Sequence, residues 1–155
     1  MKTWKFSIER SAVVDQQLVK KKISIIHENL NFLNDQKKII TAENIKKNFS
    51  LRLQVAYALQ TLIQASIDIC THLASDEKWE LPDHAAQAFK ITLRHGVISS
   101  QTADALSQAV RLRNVIVHQY DELDENILEN VVQNKLGVFG TFIQELQRWS
   151  KKRVG

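Results

Sequence analysis

The stretch ADALSQAVRLRNVIVHQY, residues 103–120, decides the fold. Its apolar residues do not alternate as a half-buried strand requires; they return every three or four positions, as on one face of a helix. Take Arg113 as zero and turn about 100° per residue. Leu106 then falls at about +20°, Val117 at about +40° and Val110 at about +60°, with Ala109 at about −40° and Ile116 at about −60°. Arg113 sits in the middle of the apolar face. An arginine there needs a carboxylate, a partner surface or the phosphate of a ligand. A purely structural buried ion pair satisfies that need as well as a ligand does.

The same periodicity runs outward through the chain. Residues 1–81 contain neither glycine nor proline, Pro82 and Gly96 mark two short connections, and Gly137 and Gly140 fall late. Strand signals are nearly absent, so the chain reads as all-α, an antiparallel bundle of about five helices. The first spans 15–36 and buries Leu18, Ile25, Leu30 and Leu33. Thr41 starts a second that continues past Leu51 to about Ala74. Asp83 caps a short third over 83–94, closed by Gly96. Ser99 or Ser100 caps the fourth, which leads into 103–120, and Asp124 opens a fifth that runs to about Trp149. Gly137 and Gly140 lie inside that last helix and suggest another backbone close by. The whole, 1–155, reads as one domain, with 1–14 loosely held and 148–155 a solvated basic tail.

A chain of 155 residues, 44 % hydrophobic and 25 % charged, can bury one core but not two. A net charge of +4 is compatible with a phosphate-bearing partner. The lone Cys70 excludes an internal disulfide and reads as a small buried hydrophobe. There is no signal peptide and no apolar run long enough to span a membrane, which points to the cytoplasm. No His, Cys and Asp cluster has metal-ligand spacing, and no phosphate-cradling glycine loop is present.

Beyond Arg113 the helix carries His118 and, two residues on, Tyr120. His118 lies about 140° from Arg113 on an ideal helix. The two converge only if the helix ends near Val117 and the arginine bends toward that end. A histidine at a helix C-terminus is favoured as imidazolium, which raises its pKa. Asn114, one turn before His118, can orient the imidazole. On the second helix Tyr57, Thr61, Gln64, Asp68 and His72 form a polar stripe, read for His72 as facing solvent. His27, His84 and His95 stand at no telling spacing.

The segment Arg113-Asn114-x-x-x-His118-x-Tyr120 resembles the Arg-x4-His-x-Tyr signature of HEPN-domain proteins, in particular the HepT-like toxins of prokaryotic toxin–antitoxin pairs. QVAYALQTLIQASIDICTHLA, 54–74, resembles the family's second long helix. AFKITLRHGVISSQTADALSQAVRLRNVIVHQYDELDE, 88–125, resembles its short helix, glycine turn and active-site helix. The resemblance implies a metal-independent endoribonuclease that needs no cofactor, the toxin of a type VII-like pair. RNA brings its own nucleophile, the 2′-hydroxyl. His118 would move protons and Arg113 would grip the phosphoryl oxygens. One histidine per chain calls for a homodimer that sets two copies of 113–120 face to face. The resemblance further implies a nucleotidyltransferase (MntA-like) antitoxin that transfers AMP to Tyr120, which can also contact RNA. It also implies a supporting role for Asp68. The rival reading is a non-catalytic nucleotide- or substrate-binding subunit of a nucleotidyltransferase.

Four carboxylates, Asp121, Glu122, Asp124 and Glu125, follow the motif and repel RNA. They can face a basic antitoxin, cap the fifth helix or pair with Arg111. Lysines at 20–22, 37, 38, 46 and 47, with Arg52, are the cations that could draw RNA in.

Overall fold

A computed structural model describes residues 9–154, with side chains described for 16–153. The helices are α1 Glu9–Asp35, α2 Ala42–Lys47, α3 Phe49–Asp76, α4 Ala85–Arg94, α5 Ser100–His118, α6 Glu125–Asn134 and α7 Gly137–Val154, with a 3-10 turn at Tyr120–Glu122. No strand occurs among the described residues.

The central member is α3. Leu51, Val55, Leu59, Ile63, Ile67 and Cys70 bury most of its circumference, as expected of a helix covered on several sides. Helix α1 packs along it through Ile26, Leu30 and Leu33. Helices α4 and α5 cover the far side with Phe89, Leu106, Val110 and Ile116. Helices α6 and α7 close the bundle with Leu128, Val132, Phe139, Phe142 and Ile143. All these side chains belong to one contiguous core.

Most expected boundaries hold, and the exceptions have local causes. The second helix is not continuous: Asn48, extended at φ −121° and ψ 100°, breaks it into α2 and α3. Its side-chain oxygen accepts from Leu51 N (3.1 Å), so a fresh N-cap replaces the through-going ladder. The expected fifth helix is likewise two, interrupted after Asn134. Gly137 starts α7 rather than lying inside a helix, and Gly140 sits in its first turn. The close backbone approach expected at these glycines is not found, since a Cβ at either would meet nothing within 4 Å. The short helix is capped by His84, not Asp83; its Nδ1 accepts from Gln87 N (3.3 Å). Ser99 and Asp124 cap α5 and α6 as expected. Gly96 turns the chain at φ +77°, a conformation that costs a residue with a Cβ.

Helix α1 begins at Glu9, earlier than the sequence suggests, so 9–14 of the stretch expected to be loosely held (1–14) are helical, while 1–8 lie outside the described residues. The basic C-terminal stretch continues α7. Trp149 meets Trp79 edge to face (centroids 6.0 Å), and Trp79 stacks on His95 at 4.2 Å. Arg153 lies over Trp149 and pairs with Glu77. No helix of the described residues is long and apolar enough to cross a membrane.

Candidate functional site

Helix α5 runs antiparallel to α3. Arg113 meets Gln64 near one level, and the 3-10 turn after α5 meets Arg52, twelve residues earlier on α3. This pairing decides what surrounds the motif. Arg113 leaves the apolar face half-buried, and its Nη1 donates to Gln64 Oε1 at 3.0 Å. Its Nε is enclosed without a hydrogen-bond partner. Among the described residues no carboxylate lies within ion-pair distance of it. The reading of Arg113 as half of a structural ion pair is therefore overturned: its neighbour is a neutral amide.

The polar stripe on α3 divides in two. Gln64 Nε2 donates to Asp68 Oδ1 (2.9 Å), and Lys22 Nζ on α1 donates to Asp68 Oδ2 (2.9 Å). Asp68 thus lies two hydrogen bonds from Arg113, through Gln64. Tyr57 is 67 % exposed and joins Phe49 (68 %) and Leu53 (44 %) in an apolar stripe. His72 stands beside Asp76, one turn on.

His118 is the last residue of α5 and is exposed, as is Asn114 one turn before it. Helix α5 therefore ends within one residue of the expected point. Val117 beside His118 is 45 % exposed. Tyr120 opens the 3-10 turn half-buried, with its hydroxyl enclosed and unpartnered. The Arg52 guanidinium lies over its ring, 5.2 Å from the centroid. Arg52 also donates from Nη1 to Glu125 Oε1 (2.7 Å) and from Nη2 to the Leu123 carbonyl (2.8 Å). One side chain thereby holds the whole segment that follows His118.

These contacts settle several charges. Glu125 pairs with Arg52 rather than Arg111, and Asp124 caps α6, while Asp121 and Glu122 stay exposed. Of the cations that could attract RNA, Lys22, Lys47 and Arg52 are engaged with Asp68, Glu43 and Glu125. Cys70 is buried, and burial pushes its thiol up to about 12 against a hydrogen bond from Thr92, so it is inert. A cleft of about 250 Å³ between 96–99 and α7 lies at the opposite end of α5 and does not touch the motif.

Three residues of this arrangement, Gln64, Lys22 and Arg52, were named from sequence without the contacts they make here. Gln64 had one usable signal, its position four residues before Asp68 on the same stripe. Lys22 and Arg52 had only their charge.

A profile of the family described as "Ribonuclease HepT-like" matches residues 14–146. Among curated proteins, the "mRNA nuclease HepT" of Shewanella oneidensis is 32 % identical over 102 residues, 66 % of this chain and 77 % of that one. The "tRNA nuclease HepT" of Aphanizomenon flos-aquae is 21 % identical over 136 residues, 88 % of this chain and 92 % of that one. Among solved structures, the tri-AMPylated Shewanella oneidensis HEPN toxin in complex with an MNT antitoxin superposes with a TM-score of 0.76. It is 28 % identical, over 84 % of this chain and 97 % of that one. With its helical bundle and an Arg-x4-His-x-Tyr segment at the end of α5, this chain belongs to the HepT-like ribonuclease family.

Proposed function

We propose that the chain is the toxin of a toxin–antitoxin pair and cleaves RNA in the cytoplasm. The observation that carries this is Arg113, a half-buried guanidinium with no carboxylate partner, on the same helix end as an exposed histidine. A buried charge left without a counter-ion is costly unless an anion arrives to meet it. The scissile phosphate is that anion. The 2′-hydroxyl oxygen attacks phosphorus, a histidine takes its proton, and the 5′-oxygen leaves with a proton from a second histidine. Arg113 stabilises the charge gathering on the phosphoryl oxygens. The products are a 2′,3′-cyclic phosphate and a free 5′-hydroxyl, and the chemistry needs no metal.

Each chain brings one His118, so the acid and the base come from two chains of a homodimer. The exposed apolar stripe Phe49, Leu53 and Tyr57, with Val117 beside His118, supports an interface around the motif. Asn114 orients the imidazole from one turn away. A relative solved tri-AMPylated and in complex with an MNT antitoxin supports a nucleotidyltransferase antitoxin as partner, and Tyr120, the tyrosine of the motif, is the residue that would receive AMP. A nucleotide on Tyr120 would place negative charge where the RNA phosphate must sit.

The test is cleavage of labelled total RNA in EDTA by protein whose Tyr120 is shown unmodified by intact mass, beside His118→Ala and Arg113→Ala. Cleavage by the wild type alone, ending in a cyclic phosphate, is the expected result. Silence from all three, or cleavage that survives in His118→Ala, overturns the assignment.

A further inference from the structure

We infer that Gln64 is a positioning residue that fixes the Arg113 guanidinium while leaving its charge unspent, with Asp68 and Lys22 locking Gln64 in place. The inference rests on the reading of Arg113 as the phosphate-binding group.

An amide side chain can face either way, and its neighbours decide which. Asp68 only accepts hydrogen bonds, so the end of Gln64 that it meets at 2.9 Å is the amide nitrogen. The end toward Arg113 is then the oxygen, which a guanidinium requires, and the contact is 3.0 Å. Both neighbours demand the same orientation. The amide is held from two sides.

The charges along this chain of bonds are ordered. Lys22 meets the second oxygen of Asp68 at 2.9 Å, so the carboxylate has its own counter-ion. Gln64 is neutral. Arg113 keeps a full positive charge with its orientation fixed through one Nη1 bond, and the remaining donors of its fork stay uncommitted. A glutamate at 64 would cancel the charge of the guanidinium in a direct, charge-assisted pair, and would set a second carboxylate against Asp68 with no proton to share. Geometry without neutralisation is what the amide supplies, and it accounts for a glutamine at 64. The four residues come from three helices, α1, α3 and α5, so the packing of those helices is what sets the angle of the guanidinium.

The test compares Gln64→Glu and Gln64→Leu with the wild-type full chain by two readouts. The first is rotation of the Arg113 Nη groups by nitrogen NMR, with Arg113→Lys to assign the signal. Rotation should be slow in the wild type, slow or slower in Gln64→Glu, and fast in Gln64→Leu. The second is cleavage kinetics on a short RNA, with thermal melting alongside. Gln64→Glu should lose about tenfold or more in kcat/KM, beyond what any fall in its melting temperature explains, because a charged hydrogen bond to the substrate is lost. Gln64→Leu should lose kcat more than KM.

A merely structural glutamine would leave the kinetic losses of both variants in proportion to their falls in melting temperature. Unchanged Nη rotation in Gln64→Leu overturns the positioning role whether or not the protein cuts RNA. Wild-type cleavage matched by Gln64→Glu overturns the charge argument. Absence of cleavage by the wild type removes the nuclease reading instead, while the NMR readout still decides on Gln64.

Discussion

Arg52→Ala should loosen the segment that carries Tyr120 and lower the stability of the bundle. The side chain makes three contacts: Glu125 at 2.7 Å, the Leu123 carbonyl at 2.8 Å and the Tyr120 ring at 5.2 Å. A hydrogen bond from a charged donor contributes about 1.5–3 kcal/mol, and a partly exposed cation over an aromatic ring about 0.5–1 kcal/mol. The ion pair is worth less than a fully buried one, since the two side chains are 14 % and 28 % exposed. These contributions share one guanidinium and do not add, so the expected loss is about 2–3 kcal/mol. For a domain of this size that lowers the melting temperature by roughly 5–10 °C.

The assay is thermal melting at fixed protein concentration, with amide hydrogen exchange over residues 119–125. Arg52→Lys keeps the charge but not the fork, and should fall between wild type and alanine. Cleavage should weaken in the alanine variant, because the backbone beyond His118 is no longer tied to α3. A melting temperature within about 1 °C of the wild type, below what a loss of even about 0.5 kcal/mol predicts, would refute the reasoning. So would unchanged exchange across the turn.

Tyr57→Glu places a charge in the middle of the Phe49, Leu53 and Tyr57 stripe without touching the core, since Tyr57 is largely exposed. Sedimentation should show the dimer falling apart with the fold intact, and cleavage should fall with it. Gly140→Ala should raise the melting temperature, because the position is helical and a Cβ there meets nothing within 4 Å. The expected gain is about 0.4–1 kcal/mol, from a less flexible unfolded chain. A fall on melting would refute the open space around Gly140.

Much of this fold was legible in sequence because helix signals are local. Ser99, Asp124 and Thr41 announce their helices by residue type, and each caps as expected. The breaks at Asn48 and after Asn134 were not legible. Neither interrupts the apolar period, and an asparagine inside a helical run becomes a cap only when tertiary packing bends the chain there. The motif residues were legible through the signature they match, and the end of α5 only as the condition under which Arg113 and His118 could converge. The setting of Arg113 was not. Its central place on an apolar face signalled a partner, but Gln64 lies 49 positions away and Lys22 reaches the same network only through Asp68. Contacts of that kind belong to the packing of α1, α3 and α5, and no single segment encodes them. The two glycines misled for a related reason: glycine marks close approach in one context and a helix start in another.

The enclosed hydroxyl of Tyr120 bears on timing. A phenol must expose its oxygen to attack the α-phosphate of a nucleotide, and this one is shut in beneath Arg52. If Tyr120 is the residue that receives AMP, transfer would wait for the turn to open, and the rate of that opening would set the upper limit on the rate of modification.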